Sequence, residues 1–166
     1  SKWKNFKNLN KNSIGIELTN KGHEFGYQNF TNAQILSLIY LCRNLKKKYF
    51  IKKESFLGHA DIAPLRKLDP GEKFPWKRLS KYNLGCWYRD SKKKFKLTKY
   101  KKIENLFFKN LYKIGYRYFK VGKRVKKDEL IIKSFQQRYH PQNVTGIIDL
   151  KTFEISHFLA NELKLT

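Results

Sequence analysis

Methionine is absent from this 166-residue chain, cysteine occurs twice, proline four times, and 13 acidic residues face 37 lysines and arginines. Each shortage excludes something. Two cysteines, Cys42 and Cys86, cannot build a disulfide framework, and they lack the CxxC spacing of a zinc-finger pair. Cys42 falls within an apolar stripe of helical spacing, which predicts a packing role. No apolar run approaches the ~18 residues that a membrane-crossing helix needs. No leader-like segment opens the chain, but it starts at Ser1 rather than Met, so its address cannot be read from that end.

The scarcity of acid leaves a formal net charge of +24. A charge of that size suits a polyanionic partner: nucleic acid, an anionic lipid surface or an acidic cell-wall polymer. Lysine-rich usage beside abundant Asn, Ile, Phe and Tyr also fits an AT-rich coding sequence, with runs such as Lys46–Lys48 and Lys92–Lys94 as solvated faces. Both readings stay open. No nucleic-acid-binding motif accompanies the charge, so specific nucleic-acid recognition is not expected. Hydrophobic residues at 40% and aromatics at 16% suffice for a packed core, which argues against a disordered chain. The length accommodates one ordinary domain or two small ones.

Patterning along the chain alternates between extended and helical. Ile14-Gly15-Ile16-Glu17-Leu18 alternates apolar residues with small or polar ones and reads as a strand. Thr31 followed by Gln34 fits a capping box, and Ile35, Leu38, Ile39, Cys42 and Leu45 then recur at helical spacing to about Lys47. From Ala60 to Trp76, Pro and Gly argue for a turn-rich loop. Residues 85–98 are basic and weakly patterned, as in a linker. Beyond them, Ile103, Leu106, Phe107 and Ile114 share one helical face that stops at Gly115. Asp128 to Tyr139 reads as a second helix, ended by His140-Pro141. Asp149 is placed to cap a third, carrying Leu150, Phe153, Phe158 and Leu159.

His59 and Asp69 stand out chemically. An imidazole nitrogen and a carboxylate oxygen both suit Zn²⁺, and ten residues of turn-rich chain could fold them onto one ion. A lone His beside a proline-rich turn is more often structural, so this pairing says little by itself. His23, in Gly22-His23-Glu24-Phe25, reads as a loop-shaping residue, and His140 and His157 have no partner pattern.

The wording around those residues says more. Gly58-His59-Ala60-Asp61-Ile62-Ala63-Pro64-Leu65-Arg66-Lys67-Leu68-Asp69-Pro70-Gly71, followed by Phe74-Pro75-Trp76, resembles the signature of the zinc N-acetylmuramoyl-L-alanine amidases, above all the bacterial muropeptide amidases. A second block agrees with that family in order and kind: Leu9-Asn10, Ser13 to Leu18, Asn20, and Gly22 to Tyr27. The two blocks cover about the first 80 residues. The resemblance implies that His59 and Asp69 are the family's second and third zinc ligands. It implies that Glu17 is the acidic residue that activates the attacking water, and that Lys67 stabilises charge on the scissile carbonyl. The bond cut would join the lactyl group of muramic acid to the L-alanine of the stem peptide.

No segment matches the histidine strand that carries the family's first ligand. A shortened enzyme or a catalytically defective, wall-binding remnant is therefore the alternative expectation. Near the other end, Ile132 to Tyr139 with Gly146, Asp149 and Thr152 resembles the three-helix peptidoglycan-binding domain. The expected organisation is an α/β amidase part over residues 1–90, a mixed sheet flanked by helices without its first elements. A small three-helix unit would follow over residues 99–166. The implied cofactor is Zn²⁺, the implied partner is peptidoglycan or a muropeptide, and the implied location is the bacterial envelope, on its periplasmic side.

Overall fold

The computed structural model of the chain describes residues 1–89 and 100–162. Two short strands, β1 (Lys2–Trp3) and β2 (Phe6–Lys7), pair antiparallel as a hairpin, with Trp3 opposite Phe6. Helix α1 spans Asn32–Tyr49, and two short helices follow at His59–Ile62 (α2) and Trp76–Ser80 (α3). Three longer helices complete the order: α4 (Tyr100–Ile114), α5 (Asp128–Tyr139) and α6 (Leu150–Glu162).

Helix α1 starts where local chemistry dictates. The Thr31 hydroxyl accepts from Gln34 N, and the Gln34 carboxamide accepts from Thr31 N, so two of the first orphan N–H groups are satisfied reciprocally. Its apolar stripe, Ile35, Leu38, Ile39 and Cys42, packs with Phe74, Trp76, Leu79 and Leu84 into one core. Cys42 is buried there and both cysteines are free thiols.

Helices α4–α6 surround a second, larger core whose centre is aromatic. Phe107, Phe108, Phe135 and Tyr116 are fully buried and meet largely edge-to-face. The Asp149 carboxylate accepts from Thr152 N at 2.6 Å and from the Asn143 amide at 2.6 Å, capping α6 as its position predicts. Within α6, Thr152, Ile155, Ser156 and Ala160 join Phe153 and Leu159 inside, whereas Leu150 stays 39% exposed. Gln136, fully buried, accepts from Gly146 N and donates to Ile147 O and Thr152 Oγ1, tying the 146–147 turn to α6.

Two expectations change. Residues 14–18 form no strand, and among the described residues the sheet is the β1–β2 hairpin alone. A strand needs a neighbour to take its backbone groups, and no described segment lies alongside this one to do so. Ile14 and Ile16 accordingly remain 51% and 37% exposed. The expected linker also differs in its described part. Gly85 is buried, and Trp87 packs against both cores. The remainder of that linker, 90–98, lies outside the described residues. Trp3 joins the helical core as well, its ring lying so close to Gly115 that a Cβ there would meet Trp3 Cε2 at 2.4 Å.

Candidate functional site

The site is the loop from Gly58 to Phe74, and its construction explains why two residues ten apart meet. Gly58 sits against Pro70: a Cβ on Gly58 would meet Pro70 Cδ at 2.5 Å. Only a glycine lets the two ends of the loop approach this closely. The approach is fixed by the backbone, since Ala60 N donates to Asp69 O at 2.8 Å. With the backbones so joined, His59 Nδ1 lies 2.5 Å from Asp69 Oδ2. Both side chains are about half exposed, 50% and 56%, so the pair is open to solvent.

The far side of the loop is stapled by Tyr27. Its hydroxyl donates to Pro70 O at 2.5 Å and accepts from Lys73 N at 3.0 Å, while Lys73 Nζ returns to Tyr27 O at 2.7 Å. Burial pushes this phenol up to about 12, so it stays protonated and keeps donating at physiological pH. Gly71 has φ +80° and faces the Tyr27 hydroxyl, which a Cβ would meet at 2.6 Å. The His23 ring lies tilted against Tyr27, 4.3 Å between centroids, and bonds Glu72 Oε2 at 2.9 Å through Nε2. His23 is thus engaged in holding the loop. Burial opposes ionisation of Glu72, but His23, the Glu72 backbone N–H and Gln137 together outweigh it and the carboxyl sits below its ordinary range.

The other two expected site residues are Glu17 and Lys67. Glu17 is exposed in the unpaired 14–18 segment, and Lys67 is exposed on the loop. Neither side chain forms a hydrogen bond or ion pair within the described residues. His59 and Asp69 offer the nitrogen and oxygen donors that Zn²⁺ accepts, and they converge, so their chemistry fits two positions of a site. No group of three or more His, Cys, Asp and Glu is assembled among the described residues.

Asp61 has a role of its own that its place in the signature does not announce. It lies inside the His59-Ala60-Asp61 triplet but points inward, 2% exposed, and bonds Gly58 N, the Tyr116 hydroxyl and Arg138. Tyr27, at the end of the 22–27 block, has a structural role that nothing in its immediate sequence announces. The available signal for both was the pair of glycines, Gly58 and Gly71, that bracket the loop and demand close neighbours.

The chain is similar to known proteins over this region. Residues 2–72 match the family described as N-acetylmuramoyl-L-alanine amidase. The chain is 34% identical over 170 residues to the N-acetylmuramoyl-L-alanine amidase AmiD of Escherichia coli (strain K12), covering 96% of this chain and 60% of that protein. It is 45% identical over 67 residues to the 1,6-anhydro-N-acetylmuramyl-L-alanine amidase AmpD of Haemophilus influenzae, 40% of this chain and 34% of that protein. Among solved structures, AmiD from E. coli with anhydro-N-acetylmuramic acid-L-Ala-D-gamma-Glu-L-Lys superposes with a TM-score of 0.82 at 30% identity, covering 97% of this chain and 66% of that one. AmpDh3 from Pseudomonas aeruginosa in complex with anhydromuramic pentapeptide gives 0.84 at 27% identity, covering 98% and 67%. The chain therefore spans 60% of the length of the E. coli amidase AmiD. By sequence and by fold the chain is similar to N-acetylmuramoyl-L-alanine amidases, and the family match falls on residues 2–72.

Proposed function

We propose that this chain supplies two zinc ligands, His59 and Asp69, to an amidase that hydrolyses the bond between N-acetylmuramic acid and L-alanine in peptidoglycan or muropeptides. The observation that carries the proposal is the 2.5 Å approach of His59 Nδ1 and Asp69 Oδ2 within a loop whose glycines and backbone bonds bring them together. Relatives of this chain are named as amidases of muropeptides, and two have been solved with such molecules bound.

When bound, Zn²⁺ supplies Lewis acidity, polarising the amide carbonyl and easing deprotonation of water. The chain's own residues do the rest. Glu17 takes the proton of the attacking water and returns one to the leaving amine of L-alanine. Lys67 places a cation beside the carbonyl oxygen as negative charge develops there. Both side chains are exposed and uncommitted, so substrate can reach them. Helices α4–α6 act as the three-helix peptidoglycan-binding unit, over residues 99–166, and raise the local concentration of the amidase part, residues 1–90, at the wall. The location is the periplasmic side of a bacterial envelope.

The lack of a third donor beside His59 and Asp69, among the described residues, favours one second reading: a peptidoglycan-binding chain without catalysis. One assay separates the two. The chain is incubated with muropeptides and Zn²⁺, and released stem peptide is quantified. Zinc-dependent release that disappears in Glu17→Ala supports the amidase. Binding to peptidoglycan without release supports the second reading and refutes the first.

A further inference from the structure

The best-defined polar cluster outside the ligand pair lies beneath it, where the loop meets the helical unit. Asp61 presents both carboxylate oxygens inward. Oδ2 accepts from Gly58 N at 2.8 Å and from Arg138 Nη1; Oδ1 accepts from the Tyr116 hydroxyl at 2.6 Å. Asp61 and Arg138 are 2% and 4% exposed. Arg138 does more than neutralise the carboxylate. Its Nη2 donates to Phe56 O at 3.0 Å, and its guanidinium lies 3.8 Å from the Trp76 ring centroid. Next to it on α5, the Ser134 hydroxyl donates to Ala60 O at 2.7 Å. The short segment 58–61 is thus held at Asp61 by Tyr116 and Arg138 and at Ala60 by Ser134, while Phe56 O and the Trp76 ring hold Arg138 in place.

Charges this deep are tolerated only when paired and hydrogen-bonded. Asp61 finds one partner, Gly58 N, within its own loop; the other two come from residues 55 and 77 positions further along. Without the helical unit the carboxylate would be left buried and half-satisfied, or would turn out to water and carry His59 with it. An arginine suits the task, because its rigid fork can serve Asp61 and Phe56 O at once while its face stacks on Trp76.

We infer that Arg138 is a positioning residue for the His59–Asp69 pair, acting through Asp61, and that helix α5 is part of the scaffold of the site. The inference rests on the reading of that pair as metal ligands only for its consequence on metal binding; the loop's dependence on Arg138 stands apart from it.

The test uses the full chain and two readouts, amide hydrogen exchange and competitive titration with Zn²⁺ against a chelator. In Arg138→Met, amides 58–63 are expected to exchange about tenfold faster or more, while those in the middle of α1 stay within about twofold of wild type. Arg138→Lys keeps the charge but not the fork, and is expected to fall between. Zinc affinity should drop about tenfold in Arg138→Met with His59 and Asp69 unchanged. If Arg138→Met fails to fold, Ser134→Ala, which removes only the hydroxyl on Ala60 O, carries the same comparison. Exchange at 58–63 that matches wild type in a folded variant overturns the inference. So does acceleration of equal size throughout the chain, which marks a general loss of stability. A wild-type chain that takes up no zinc refutes the ligand assignment instead, and leaves the exchange result to decide the role of Arg138.

Discussion

Phe107, Phe108, Leu111, Tyr116 and Phe135 in and around α4 and α5 are fully buried, whereas Ile14, Ile16 and Phe25, in the segment before α1, are 51, 37 and 71% exposed. The two regions do not differ in the kind of apolar residue they hold. They differ in how their backbones are satisfied. A helix closes its own hydrogen bonds, so three helices need only bring apolar faces together. An isolated strand keeps its backbone N–H and C=O groups unpaired by other protein groups until another strand arrives, and residues 14–18 have none beside them among the described residues. The helices hold the core, and the candidate site borrows its rigidity from them through Asp61.

The largest expected effect breaks the helical side of the contrast. Phe135→Ala empties the centre of the aromatic core and should cost about 3–5 kcal/mol in urea unfolding. A loss below about 1 kcal/mol would mean that the core is not what holds the chain together. Next comes the cap of α6. Burial opposes ionisation of Asp149, but its bonds from Thr152 and Asn143 prevail and hold its carboxyl below the ordinary range. A depressed carboxyl contributes stability that is present above its unfolded value, about 3.9, and is lost as pH falls through the folded value. Asp149→Ala should therefore cost about 0.5–2 kcal/mol at neutral pH. The difference from wild type should shrink as the pH is taken below about 4. A difference that stays constant from neutral pH to pH 3 would contradict the assignment. The smallest effect belongs to the exposed segment. Ile16→Ala should lie within about 0.5 kcal/mol of wild type, and a loss above about 2 kcal/mol would show that residues 14–18 are packed after all.

What the sequence made legible follows the same divide. The boundaries of α1 and α5 could be read because caps, apolar spacing and His140-Pro141 are local signals. His59 and Asp69 could be paired on the strength of a resemblance, but only the close fit of Gly58 against Pro70 explains how they meet. The strand at 14–18 was misread because alternation describes one strand and says nothing of its neighbour. Trp87 was assigned to a linker because a basic surrounding masks one aromatic that touches two cores. Arg138 was out of reach for a different reason. It lies 77 residues from Asp61, and in a chain with 37 Lys and Arg nothing local marks one of them as buried.

The central claim is that His59 and Asp69 act together on one metal ion, and calorimetric titration with Zn²⁺ tests it most directly. Wild type should take up zinc saturably at one site, and His59→Ala and Asp69→Ala should each weaken that uptake by about tenfold or more. Zinc binding of equal strength in all three proteins would contradict it.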